Sequence, residues 1–390
     1  MPQDAARPPA AAGLPAPTVP PPGPPGGPAP AGAAGFAAFG LPEAPGTAAF
    51  WAQARSPVSV PVGDGGWDTL FLWRGGPGSV VFESWSEPVP LRRWGGTDCW
   101  YARVRMPGRL RVTYRFDTEE GAYGDPLNPA GVGGEQSVAA TPDTPPQPDW
   151  PLFGPGDVLP LPAARIRWAP GGPLGRRTVR LHPVGGGGPL VLLLDGDDWL
   201  HLHPAAAAFD HAVARGAVPP VTLVFLPARD REAEFGCRTE LWEAVRDDLL
   251  PRVADLEVPA DTGRMVVAGQ SLGGLSALYA ALRFPGLVTR LACQSGSFWW
   301  GGEVDPADPL GGPVGGDAAA LLRRGPDLSG LRAAFDVGRH EAAMLPHCEA
   351  VEELARRAGA TVRVGRADSG HDRAGWRGAL LRDVAWALGG

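Results

Sequence analysis

The sequence predicts an α/β protein, a mostly parallel sheet flanked by helices and preceded by a smaller antiparallel β-sandwich. From about residue 156 onward, short β-branched runs alternate with helical periodicity, which is the pattern of a parallel sheet covered by helices. Between about 46 and 155 the runs are short, β-rich and split by Gly and Pro turns. In the second half, Arg264-Met265-Val266-Val267-Ala268 leads through Gly269-Gln270-Ser271-Leu272-Gly273 into an apolar helical pattern. A buried strand, a sharp G-x-S-x-G turn and a helix in that order make a nucleophile elbow.

Taken in order, residues 1–45 are dominated by Ala, Pro and Gly and cannot bury enough side chain to offset ordering entropy, so a disordered arm is expected. Residues 46–155 carry the candidate strands Leu70 to Trp73, Ser79 to Glu83, Trp100 to Val104 and Arg109 to Phe116. The last alternates arginine with apolar residues at period two, as a half-buried strand does. Thr141-Pro142-Asp143-Thr144-Pro145-Pro146-Gln147-Pro148 is a proline-dense connector suited to a domain boundary. Residues 156–390 then offer strands at Arg165 to Trp168, Thr178 to His182, Leu190 to Asp195, Val221 to Leu226, Met265 to Ala268, Arg290 to Cys293, Ala334 to Val337 and Thr361 to Val364. Helical periodicity falls at Leu241 to Val253, Leu275 to Leu282 and Leu380 to Leu388.

Composition sets the bounds. A net charge of -7 with 44% hydrophobic residues describes a globular, mildly acidic protein, and without a basic stripe it argues against nucleic acid as a partner. All 35 basic residues are arginine. The cysteines Cys99, Cys237, Cys293 and Cys348 are scattered, so neither a disulfide framework nor a zinc site is indicated. The proline-rich N-terminus holds no apolar signal core and no run is long enough to cross a membrane, which predicts a cytoplasmic protein without a membrane partner.

Ser271 is the candidate nucleophile. A serine hydroxyl needs a base within hydrogen-bond reach, and that base needs an orienting carboxylate. On an elbow fold the chain order is serine, acid, histidine. Of the histidines after Ser271, His371 lies in a polar loop, Asp368-Ser369-Gly370-His371-Asp372, between the last strand and the final helix, and is preferred over His340 and His347. The acid is Glu341 or Asp336, with the loop position favouring Glu341 and a helix-capping role standing beside it. The oxyanion hole needs two backbone amides, expected from Leu272 and from Asp197 in the loop after the Leu190 strand.

Several stretches together resemble the ferric enterobactin (enterochelin) esterases of the α/β-hydrolase superfamily. They are Leu194-Asp195-Gly196, Arg231-Glu232-Ala233-Glu234, Val267 through Tyr279 across the elbow, Gln294-Ser295-Gly296-Ser297-Phe298-Trp299-Trp300, and Gly370-His371-Asp372 with Trp376-Arg377-Gly378. Gly96-Thr97-Asp98 and Asp125-Pro126-Leu127-Asn128-Pro129 look like the family's accessory β-domain. The resemblance implies Ser271, His371 and Glu341 as a triad, although His340 stands where the family pattern has arginine. It implies a substrate that is a ferric tris-catecholate with three negative charges on a trilactone core, cleaved without any cofactor, the iron entering only with the substrate. Such a substrate calls for cationic and stacking contacts, for which Arg231, Arg339, Arg377, Trp199, Trp299, Trp300 and Trp376 are the candidates. Core packing for some of these tryptophans, and an Arg231–Glu234 ion pair, are the competing readings. An esterase for another aryl or secondary-metabolite ester, an acyltransferase, or a non-catalytic siderophore carrier remains open as an alternative, as does monomer or homodimer.

Overall fold

The computed structural model describes residues 34–42, 44–132, 135–151, 161–256, 258–301, 308 and 310–389. Its largest sheet has eight strands in the order Arg165–Trp168, Arg177–Val184, Val221–Leu226, Gly188–Leu194, Ala260–Gln270, Arg290–Gln294, Arg332–Gly338 and Thr361–Ala367. The first pair is antiparallel, Arg177–Val184 is antiparallel to Val221–Leu226, and every later pairing is parallel. This order, with one exchange among the early strands, is that of the α/β-hydrolase fold.

The sequence explains which strands lie in the middle. Val221–Leu226 is buried along its whole length, and Gly188–Leu194 is buried from Leu190 onward, because continuous apolar runs suit strands covered on both faces. Period two sends Leu190, Leu192 and Leu194 to one face and Val191 and Leu193 to the other. On the second face these meet Val266, Ala268 and Ala292, with Phe209 of the helix Ala205–Ala214 and Leu380 and Val384 of the helix Arg373–Ala387. The first face is covered by Leu272–Arg283, Leu345–Arg357 and a helical stretch running from Glu240 to Ala254. That last stretch, expected as one helix, widens to a π turn at Val245–Leu249. Pro251 follows directly and has no amide to donate to the preceding turn.

Before this sheet lie two antiparallel sheets, one built on Gly66–Arg74 and Cys99–Met106, the other on Gly78–Phe82, Arg111–Thr118 and Gln136–Ala140. Phe71, Val80, Phe82, Val104, Val112, Tyr114 and Phe116 fill the space between them. One expectation needs correcting. Phe36, Phe39 and Leu41, inside the stretch read as an arm up to residue 45, are buried against Phe50, Leu70, Leu72 and Tyr101. Those three apolar side chains are what the Ala, Pro and Gly background concealed; residues 1–33 lie outside the described residues.

The antiparallel region packs directly on the loop that carries His371. Arg111 donates its amide to the Asp368 carbonyl at 2.7 Å and pairs with Ser369 in a parallel bridge. Thr113 donates both its amide and its hydroxyl to the Asp372 carboxylate, the hydroxyl at 2.8 Å. Gly370 approaches the Ser84 carbonyl so closely that an added Cβ would lie 2.8 Å from it. A histidine loop with such contacts is held from outside its own sheet as well as from within.

Candidate active site

The strand Ala260–Gln270 ends at Ser271, which has φ 55° and ψ -121° before the helix Leu272–Arg283 begins. A non-glycine residue in that region is strained by roughly 1–3 kcal/mol and persists only where its surroundings fix it. Here the Ser271 amide donates to the Gln294 carbonyl at 3.0 Å, and the Ser271 carbonyl accepts from Leu275 and from Ser297 at 3.1 and 2.9 Å. Gly269 is required because a Cβ there would lie 2.2 Å from the Gly273 carbonyl. The Ser271 hydroxyl lies 3.1 Å from that of Ser297, a buried serine that sequence reasoning quoted only as part of a motif.

His371 and Glu341 are brought together. The Glu341 carboxylate is fully buried, and its Oε2 accepts from His371 Nδ1 at 2.7 Å. Its Oε1 accepts from the Ser295 hydroxyl at 2.6 Å and the Gly338 amide at 2.7 Å. Ser295 in turn accepts from Trp376 Nε1 at 2.8 Å, and the Trp376 ring stands edge-on to His371 with centroids 4.7 Å apart. This partner assigns the Nδ1–H tautomer and leaves Nε2 to face a reacting group.

Asp336, the other candidate acid, lies elsewhere. It ion-pairs with Arg382, accepts from the Ala367 amide at 3.2 Å, and is not bonded to His371. Burial pushes its carboxyl up to about 7, with neighbouring Asp383 adding to the rise and Arg382 and Arg366 opposing it. The folded chain therefore binds a proton at Asp336 more readily than the unfolded chain does, and the contribution of this group to stability falls as pH rises between about 4 and 7. In Asp336→Asn that contribution is removed, so the melting temperature of the variant should gain on the wild type as pH rises across the window, as thermal denaturation at closely spaced pH values would register; an unchanged difference would mean that Asp336 is already ionised at acid pH.

The loop expected to supply the second oxyanion amide abuts the elbow. Asp195, in a left-handed conformation at φ 54°, caps the helix Gly196–His201, whose first amides have no intrahelical carbonyl. A Cβ on Gly273 would lie 3.4 Å from Leu194 Cβ and 3.5 Å from Asp195 Oδ2, so the turn bearing Asp197 and the turn bearing Leu272 are adjacent.

The platform residues fare unequally. Arg231 pairs with Asp195 through two bonds of 2.7 and 2.9 Å rather than with Glu234, which is bound to the buried Arg177. It therefore braces the turn at Asp195 while staying about a third exposed. Trp199 is buried in the core with its Nε1 on Gln270, so it offers no stacking face. Arg377 is buried, donates to Gln147 at 2.6 Å and lies over the Trp150 ring. Its environment pulls the guanidinium down to about 10, through burial first and Arg111 second. Trp376 is a support for Ser295 and His371, as above. Trp299 is buried in the core and Trp300 half-buried, with ring centroids 5.8 Å apart, so of the two only Trp300 offers a face. Arg339 pairs with Asp368 at 3.2 Å and opens onto a different cavity.

Two charged residues near His371 are not singled out by the sequence. Arg373, the first residue of the final helix, lies between Asp198 and Glu83 and over the Trp376 ring. Burial lowers its tendency to hold a proton, but Asp198, Glu83 and Asp195 outweigh that and raise it. Glu83 comes from the antiparallel region, and burial and Asp372 push its carboxyl up to about 7 against the pull of Arg373 and His371. The sequence signal for Arg373 was its place two residues after His371.

Among the described residues no helix is long and apolar enough to cross a membrane. Residues 174–387 match the family described as "Putative esterase". An iron(III) enterobactin esterase of Dickeya dadantii is 30% identical, over 88% of this chain and 94% of its own. One from Escherichia coli is 28% identical over 87% and 96%. The solved structure of the Shigella flexneri enterobactin esterase in the presence of enterobactin aligns with a TM-score of 0.75 at 27% identity, covering 88% of this chain and 98% of that one. The ferric enterobactin esterase of Salmonella typhimurium aligns with a TM-score of 0.74 at 26% identity and the same coverage. With these matches running through the antiparallel region, the elbow and the histidine loop alike, the chain belongs to the iron(III) enterobactin esterase family of carboxylic ester hydrolases.

Proposed function

We propose that the protein is a cytoplasmic serine esterase that hydrolyses the trilactone esters of a ferric tris-catecholate siderophore. The observation that carries the reading is the buried Glu341 carboxylate on His371 Nδ1 at 2.7 Å, in a chain whose elbow serine is held at φ 55°. In this reading Ser271 Oγ turns from Ser297 to His371 Nε2, loses its proton to that nitrogen and attacks the ester carbonyl. A contact made only when substrate is bound is common for catalytic hydrogen bonds. The Leu272 and Asp197 amides stabilise the oxyanion of the tetrahedral intermediate. The intermediate collapses to an acyl-serine as His371 returns the proton to the departing alkoxide, and a water repeats the sequence to release a carboxylic acid and free Ser271. Glu341 keeps the imidazole in the productive tautomer and stabilises the imidazolium.

The charges at the cleft fit a polyanion. Arg373, beside Asp198 and Glu83, and Arg231, beside Asp195, supply planar, permanently charged donors, and the half-buried Trp300 the aromatic surface; iron enters with the substrate and the reaction uses no cofactor. Opening the esters turns one hexadentate ligand into separate catecholates, which hold the metal less firmly. The test is mass spectrometry of products after mixing the purified protein with a ferric tris-catecholate trilactone and, separately, with a simple aryl ester. Linear trimer, dimer and monomer from the iron complex are expected. Cleavage of the aryl ester alone would retain the triad and remove the siderophore.

A further inference from the structure

A cavity of about 600 Å³ lies between the antiparallel region and the outer edge of the large sheet, and neither Ser271, His371 nor Glu341 lines it. Its walls come from Arg109 and Arg111, from the proline-dense segment 144–150, from the edge strand Thr361–Ala367 and from one side of the helix Arg373–Ala387. Among the described lining residues seven are arginines and two, Asp149 and Asp368, are carboxylates.

The pairing within it is incomplete. Arg215 is matched by Asp149, Arg366 by Glu352 with Glu349 further out at 3.6 Å, and Arg382 by Asp336 with Asp383 at 3.4 Å. Arg109 and Arg339 share the single carboxylate of Asp368, at 2.9 and 3.2 Å. Among the described residues Arg111 and Arg363 bond no carboxylate: Arg111 donates to the Pro145 carbonyl at 2.7 Å and Arg363 to that of Arg382 at 3.5 Å. Arg111 is half-buried; partial burial lowers its hold on the proton against the pull of the Asp372 and Asp368 charges, and with neither carboxylate bonded to it the guanidinium keeps donors free for a further anion. The Trp386 indole adds an apolar wall.

We propose that this cavity is a binding site for a small oxyanion with two or three negative charges, held by Arg109, Arg111, Arg339 and Arg363 and separate from the ester-cleavage cleft. Planar guanidiniums recognise phosphate and carboxylate oxygens in the same bidentate manner, so the shared chemistry is a multivalent oxyanion of either kind. An occupant ties the antiparallel region to the loop that carries His371, because Arg109 and Arg339 flank Asp368 and the Arg111 amide is bonded to the Asp368 carbonyl.

The experiment is isothermal titration of the full-length protein, in buffer with physiological sodium chloride, with pyrophosphate and with citrate. At least one is expected to bind saturably with Kd below about 1 mM; pyrophosphate as the tighter ligand assigns a phosphate-bearing occupant, and citrate a carboxylate-bearing one. Arg363→Gln should weaken binding about tenfold or more, as loss of a charge-assisted pair does. Arg109→Gln serves as an independent second variant, with melting temperature checked for both. Absence of saturable binding by either anion overturns the proposal. So does affinity unchanged in both variants, or affinity lost in Arg373→Gln instead, which would place the anion in the ester cleft. None of these outcomes bears on the esterase reading.

Discussion

Replacing Ser271 with alanine is expected to lower turnover of the ferric tris-catecholate trilactone by on the order of 10⁶, with binding of the intact complex changed by no more than a few fold. The oxygen removed is the one that would form the acyl intermediate, while the oxyanion amides and the cationic cleft are left in place. Alanine keeps a Cβ at φ 55°, so the strained turn and its bonds to Gln294 and Ser297 persist, and the fold should survive. Single-turnover kinetics beside quenching of tryptophan fluorescence on binding would separate the two effects. The neighbouring hydroxyl of Ser297, 3.1 Å away, supplies a pointed control. If Ser271→Ala retained substantial hydrolysis and the double variant with Ser297→Ala lost it, the nucleophile role would pass to Ser297.

The parts of this site that were legible in the sequence are those whose cause is local. The elbow could be read because strand, glycine spacing and helix lie within about twelve residues and each has a steric reason, as the 2.2 Å approach at Gly269 shows. The eight strands of the large sheet were legible from apolar periodicity, and their spatial order followed only through the resemblance. What was not legible is set by long-range packing. Nothing near Trp199 distinguishes a core indole from a stacking face, and the distinction comes from Gln270, 71 residues away. Arg231 was weighed against Glu234 because the two are adjacent in sequence, whereas its carboxylate partner is Asp195 across the sheet end. The bonds from Thr113 to Asp372 join residues 259 apart, so the part the antiparallel region plays in holding the histidine loop could not be read from either segment alone.

Glu341→Gln should cost on the order of 10⁴ in kcat, and Asp336→Asn less than about tenfold, when both are assayed on the iron complex and on an aryl ester. Glutamine can keep its carbonyl oxygen toward Ser295 and Gly338, so the turn at 338–341 need not move. What then faces His371 Nδ1 is an amide that donates, which holds the imidazole with its proton on Nε2, where it cannot accept one from Ser271. The negative charge that steadies the imidazolium is lost in the same step. Asp336 touches no group that would react: its partners are Arg382 and the Ala367 amide, and its proton affinity bears on stability rather than on the base. A loss of four decades in Asp336→Asn with Glu341→Gln nearly active would transfer the acid role to the strand end and require the loop from 338 to 341 to rearrange when substrate binds. A large loss in kcat for Glu341→Gln with KM and melting temperature little changed would instead tie the rate to the tautomer of His371 and the charge on its imidazolium, the two properties that the 2.7 Å contact controls.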